Sequence, residues 1–325
     1  MRPRFRLLRR FSAFFATVAA ATVLASVQVH PAHAAGEKYM LVNQSDNELQ
    51  LGNRTAGWSS ANWNRTFNGV WGKLTEAKFR YYREKKTEAG KVTAVAGDGG
   101  HVGLVKPNKT IFWDYEIGGS PHSVEVLPGG MIAVADSAGA GSVKLIGAGS
   151  DKPKKTVSQT IPLAKAHGVV WDPTGKLLWA IGDTMIRAYK LNNSKANPKV
   201  DKIVKTVKLP NAASSGHDLF QSRATGQGNL LLWTEWRVGT VKKVYGANEN
   251  PLKVFGGGNW PNINRVKSFS NWTDGRYVVC QGLKGVEYCN KDRAKVLNAD
   301  GTKAYELGQD GKRYYKVRPF FWVGW

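Results

Sequence analysis

Apolar positions along this chain recur in short runs separated by polar turns, and no long stretch of helical periodicity breaks the pattern. Residues 92–96, 131–135, 177–181, 230–234 and 277–280 are the clearest runs. Each is followed by turn-forming residues and a second short run, the signature of strands joined by tight connections. The runs also align with one another. His122-Ser-Val-Glu-Val-Leu-Pro-Gly-Gly leads into 131–136, and His167-Gly-Val-Val-Trp-Asp-Pro-Thr-Gly leads into 177–183. His217-Asp-Leu-Phe leads, after an insertion, into 230–235. Lys267-Ser-Phe-Ser-Asn-Trp-Thr-Asp-Gly leads into 277–281, and Lys78-Phe-Arg into 92–98.

The lead positions 78, 122, 167, 217 and 267 are 44, 45, 50 and 50 residues apart. A unit of that length holds about four short strands and cannot bury both faces of its sheet alone, so copies stack around an axis. The pattern predicts an all-β, six-bladed β-propeller. Five units are read directly. The sixth is shared between N-terminal strands at 39–43 and 49–51 and a C-terminal run at 314–322, which closes the circle. Seven blades is the alternative, and a β-sandwich or a pair of β-domains is the competing architecture.

The first 34 residues stand apart. Arg2, Arg4, Arg6, Arg9 and Arg10 precede an apolar stretch at 11–29 and an Ala32-His33-Ala34 exit. This is the anatomy of a cleaved signal peptide (1–34), with a single propeller domain at 35–325. Arg9-Arg10 leaves twin-arginine export open beside the general route. No later apolar run predicts a stable membrane insertion. Loss of the leader lowers the formal charge from +23 to +18, which is still strongly basic. The basic residues are dispersed and no nucleic-acid motif accompanies them, so the partner implied is an anionic extracellular polymer or a small anionic ligand. A monomer is expected. The two cysteines, Cys280 and Cys289, lie on neighbouring strand-like runs and suit a disulfide in an oxidising compartment.

The runs "SPHSVEVLPGG", "AHGVVWDPTGKLLWAIG", "SGHDLF", "TEAKFR" and "VKSFS" resemble those of a secreted, mainly actinobacterial propeller family of unknown function. The likeness extends from about Tyr39 to the end and implies a propeller and export, but no activity. More loosely, "AHGVVWD" is similar to strand starts in virginiamycin B lyase and gluconolactonase-like propellers. Oligogalacturonate lyases are propellers with a His-bound metal. These looser likenesses are at the level of fold.

The innermost strand of each blade lines the axis, so equivalent positions in successive repeats should meet there. On that reasoning Lys78, His122, His167, His217 and Lys267 surround one axial pocket. His122, His167 and His217 could hold a divalent transition metal. The lysines suit an anion instead. An acidic-polysaccharide lyase, or a hydrolase, would use Lys267 or His217 as base, with His122 and His167 orienting or neutralising. The alternative is a non-catalytic binding propeller with structural histidines, and the sequence leaves enzyme and binder both open. Asp218 is read as a ligand contact or a partner of His217. Trp58, Trp63 and Trp71 fall in a long predicted loop and are read as glycan contacts. Trp113, Trp171, Trp179 and Trp233 are read as core, and Asp98, Asp136, Asp183 and Glu235 as turn-stabilising acids. Serine-hydrolase, nucleotide-binding and zinc-protease motifs do not occur.

Overall fold

Alternating short apolar strands and tight turns give an architecture built from strands alone, apart from four single turns of 3-10 helix among the described residues. The computed structural model describes residues 38–53, 63–210, 216–234, 238–243, 252–255, 266–282, 289 and 294–321. Chain contacts separate Met1–Ala34 from Ala35–Trp325, and the description concerns the second unit. Among the described residues, no helix is long and apolar enough to cross a membrane.

The strands, in chain order, are β1 (Lys38–Asn43), β2 (Glu48–Asn53), β3 (Trp63–Thr66), β4 (Leu74–Tyr81), β5 (Lys91–Gly97), β6 (His101–Val105), β7 (Ile111–Glu116) and β8 (Pro121–Val126). They continue as β9 (Ile132–Asp136), β10 (Ser142–Ala148), β11 (Pro153–Pro162), β12 (Gly168–Asp172), β13 (Leu177–Ile181), β14 (Met185–Leu191), β15 (Val200–Lys208) and β16 (Asp218–Gln221). The last are β17 (Leu230–Thr234), β18 (Val238–Lys242), β19 (Leu252–Phe255), β20 (Val266–Asn271), β21 (Tyr277–Gln281), β22 (Ala294–Leu297), β23 (Lys303–Leu307) and β24 (Tyr314–Pro319).

These strands form six four-stranded sheets. Five are sequential meanders: β4–β7, β8–β11, β12–β15, β16–β19 and β20–β23. The remaining sheet runs β24-β1-β2-β3, with β24 antiparallel to β1 from Tyr39↔Pro319 to Asn43↔Tyr314. The two ends of the domain therefore share one sheet. Innermost strands contact one another in sequence, β4 with β8, β8 with β12, β12 with β16, β16 with β20, β20 with β24 and β24 with β4, so the circle closes. No seventh sheet occurs among the described residues, which removes the alternative of seven. The closed circle likewise removes the sandwich.

The core is divided as this geometry requires. Each main apolar cluster joins two neighbouring sheets. Val92, Ala94 and Ala96 of β5 pack on Val124 and Val126 of β8 and Ile132 and Val134 of β9. Trp179 of β13 and Trp233 of β17, both fully buried, anchor the next cluster but one. Trp113 and Trp171 are core residues too. Cys280 and Cys289 form a disulfide with Cα atoms 4.8 Å apart, inside the cluster shared by β21, β1 and β24.

Candidate binding site at the axis

Three histidines enter the axis at the same end. His122 is the second residue of β8, while His167 and His217 immediately precede β12 and β16. Their rings form a contiguous arc, with centroids 4.3 Å apart for His122–His167 and 4.7 Å for His167–His217. Lys267, second residue of β20, extends the arc, its Nζ 3.3 Å from His217 Nε2. Tyr315, second residue of β24, completes it. The Lys267 ammonium lies 5.7 Å from the Tyr315 ring centroid, and that ring is 6.1 Å from His122. His167 and Lys267 are largely buried, whereas His122 and His217 keep partial exposure at the mouth.

A local device repeated in two blades sets the imidazole tautomers. His122 Nδ1 lies 2.9 Å from Ser120 O, and His167 Nδ1 lies 2.7 Å from Lys165 O. A carbonyl oxygen only accepts, so each Nδ1 carries the proton and each Nε2 keeps its lone pair. Lys165 adopts a left-handed conformation (φ 43) in the turn that presents this carbonyl. His217 reaches the same tautomer from the other side of the ring. Its Nε2 receives the Lys267 ammonium, which puts the proton on Nδ1, a buried atom with no partner.

Burial, and then neighbouring positive charge, keep these rings neutral. Burial and the adjacent His122 push His167 down to about 3, against the pull of the Lys165 carbonyl. Burial, Lys267 and the other two imidazoles hold His217 well below the ordinary value. His122 is lowered by burial, partly offset by the Ser120 carbonyl. The site thus offers two imidazole lone pairs and one imidazole paired with an ammonium. Nδ1–H bonds to backbone suit His122 and His167 for metal ligation, but Lys267 sits on the third lone pair. Among the described residues, no group of three or more His, Cys, Asp or Glu is arranged to hold a metal.

Below the imidazoles the axis is filled by charge. Arg318 of β24 makes a two-pronged bond to Asp218, with both N···O distances 2.7 Å, and also reaches Glu76 Oε1 at 3.0 Å. Lys316, from the same strand, lies 3.1 Å from Glu76 and 3.3 Å from Asp218. Lys78 donates to Ser123 Oγ at 2.8 Å and Val169 O at 2.5 Å, and lies 3.5 Å from Glu76 and 3.8 Å from Glu125. Arg80 pairs with Glu125. Burial alone would raise the Glu76 carboxyl, but Arg318, Lys316 and Lys78 bring it down to about 2. Asp218 is likewise held far down by Arg318 and Lys316 despite its burial. Burial lowers Lys78 to about 8, against the pull of Glu76 and Glu125.

This placement corrects part of the sequence reading. His122, His167, His217 and Lys267 do converge. Lys78 does not join them: β4 begins at Leu74, so position 78 is mid-strand, one layer deeper and without surface. Asp218 is also no ligand contact, because both its oxygens hold Arg318. Trp71 lies in the core against Phe67 rather than in an exposed loop. Trp63 is on β3, donates from Nε1 to Pro107 O at 2.7 Å, and lines a small apolar cavity with Phe79 and Phe320. Trp58 and Glu235 lie outside the described residues. Asp136 accepts from the Ala138 N–H of its own turn and from Ser120 N–H, whereas Asp98 accepts from the distant Lys73 N–H, tying its turn to the segment that leads into β4.

Sequence reasoning missed Tyr315 and the partners Glu76, Glu125, Lys316 and Arg318. Tyr315 is 48 residues beyond Lys267, so continuing the repeat spacing would have found it. The charged partners show only as strict alternation, Glu76-x-Lys78-x-Arg80 and Lys316-x-Arg318, which ordinarily marks a solvent face.

The closed circle of four-stranded sheets with polar strand starts at its axis defines a β-propeller. The chain belongs to the Family of unknown function (DUF6528), whose profile matches residues 15–314. No curated protein matches it. A solved protein of unknown function from Bacteroides caccae is similar at 10% identity and TM-score 0.60, covering 88% of this chain and 99% of that one. The WD40 β-propeller domain of Doa1 is similar at 13% identity and TM-score 0.52, covering 84% and 79%. The β-propeller domain of Myceliophteria thermophila Cps50 (Swd1) follows at 12% and 0.50, covering 86% and 89%. At such identities these likenesses concern the fold.

Proposed function

We propose that this chain is an exported binding propeller whose axial mouth takes a hydroxylated anion, such as one residue of an acidic polysaccharide. The observation that carries this reading is the combination of the Lys267 ammonium with two neutral imidazoles in one arc. An ammonium suits a carboxylate. Imidazole Nε2 lone pairs accept hydrogen bonds and so suit sugar hydroxyls, which donate. The basic charge of the chain would draw an anionic polymer to the surface. The disulfide supports export, since such bonds persist in oxidising compartments.

Binding is favoured over catalysis because a general base works best with a pKa near the operating pH. His217 is held well below the ordinary imidazole value and its Nε2 is already engaged by Lys267, and His167 at about 3 is far too weak. The test is calorimetric titration of the full chain with a short oligogalacturonide and with a neutral galactan oligomer. The acidic oligomer should bind, the neutral one should not, and Lys267→Met should weaken binding roughly tenfold or more, the loss of one charge-assisted bond. Equal binding of both oligomers would end the anion reading. Release of unsaturated products would replace the binder with a lyase.

A further inference from the structure

A second concavity opens at the outer part of the junction between the β24-β1-β2-β3 sheet and the β4–β7 sheet. It measures about 330 Å³, and its walls include Arg65, Asn68, Trp71, His101, Ile111 and Asp114. Strand register explains the lining. Arg65 of β3 is opposite Leu49, which faces the neighbouring sheet in the shared core. Across the gap, Gly103 of β6 is opposite Asp114 of β7. Gly103 has no side chain, and Trp71 occupies the space that leaves: a Cβ there would fall 2.7 Å from Trp71 Cη2. The indole forms the floor, braced by Phe67 at 4.8 Å between centroids and by His101 at 5.5 Å.

Two residues of this lining each carry a buried polar atom without a partner, Nε of Arg65 and Nδ1 of His101. Buried polar atoms are rarely left unpaired, because desolvation without a partner is costly. The Arg65 guanidinium is held 5.8 Å from the Phe67 ring centroid. Asp114 is half-exposed and joined to Lys155 at 3.4 Å, an exposed pair that a ligand could displace at little cost. An aromatic floor, a fixed guanidinium, an imidazole, a carboxylate and an amide around one small volume make a donor and acceptor set suited to a compact, polyhydroxylated acid.

The cleft opens on the same face as the imidazoles. His101 begins β6 opposite Gly97, which pairs with Leu74 at the start of β4, so it lies at the strand-start end of its sheet, as His122 does near the start of β8. We propose that the cleft is a second subsite of this face and takes one acidic sugar residue, its carboxylate on Arg65 and its hydroxyls shared among His101, Asn68 and Asp114. The ligand class rests on the reading of the axial site, whereas the location rests on the cleft alone.

The experiment is an NMR titration of the full chain with galacturonate, with galactose as the neutral control, following the Trp71 indole, the His101 imidazole and the His122 imidazole. Galacturonate should move Trp71 and His101, and Arg65→Gln should weaken that response roughly tenfold while leaving the His122 response intact. Asp114→Asn, at a half-exposed position, gives a second variant that should weaken the same response without disturbing the fold. Movement of His122 with Trp71 and His101 silent overturns the cleft and leaves the axial site standing. Movement at the cleft with His122 silent does the reverse. Equal response to galactose overturns the acidic class.

Discussion

At the scale of single residues, the axial imidazoles are set by what surrounds each ring. His122 and His167 have their protons fixed on Nδ1 by carbonyls two residues upstream. His217 has its Nε2 taken by Lys267. An unperturbed histidine changes charge between pH 5 and 8, but these three are all held lower. The NMR signals of His167 and His217 should therefore stay fixed from about pH 8 to pH 5, while an exposed imidazole moves through that range and His122 titrates below the ordinary value. A midpoint near the ordinary value for His167 would show that the ring is wet and that the site is built otherwise. The convergence of these residues was legible before any coordinates because repetition in sequence becomes adjacency at an axis. Lys78 misled the reading for a definite reason. Lead positions align only if every strand begins at the same offset, and β4 begins four residues earlier relative to its lysine.

At the scale of elements, β24 is the strand that ties the others together. It pairs with β1 through its backbone and sends Lys316 and Arg318 across the axis to Glu76 of β4 and Asp218 of β16. Both carboxylates are fully buried, so removing a cation strands an anion where water cannot reach it. Arg318→Met should destabilise the fold by about 3–5 kcal/mol, seen as a lower denaturant midpoint with unchanged slope. A change under about 1 kcal/mol would mean that the carboxylates find other partners, Lys316 first among them. The network was illegible from sequence because alternating charge along a strand is the usual mark of a face in water. Only closure of the circle turns that face inward. Trp71 was misread for a related reason: the Trp-rich segment looks like a loop, yet the absent side chain at Gly103 makes room to bury one of its indoles.

For the whole molecule, the imidazoles and the axial carboxylates act in the same direction with pH. The folded pKa of His167 is about 3 and the ordinary value is 6.5, so above 6.5 neither folded nor unfolded chain carries the proton. As pH falls below that, the unfolded chain gains protons that the folded one refuses, and stability drops. By about pH 5 the loss from one such ring is roughly 2 kcal/mol. Glu76, at about 2 against 4.5, adds stability that is complete above 4.5 and lost as pH falls towards 2. The urea midpoint should therefore decline steadily from neutral to acid pH; a midpoint unchanged down to about pH 5 would contradict the buried imidazoles. The apolar core tells a different story of assembly. Every cluster between neighbouring sheets needs two blades, but the sheet that unites β1 with β24 needs both extremities of the domain. During synthesis, β1 can pair with β2 at once, but its other neighbour, β24, comes only after the five sequential sheets, so the protein cannot complete its native circle piecemeal. Closing the circle needs Tyr39 to meet Pro319 across almost the whole domain, a contact of the non-local kind that slows folding.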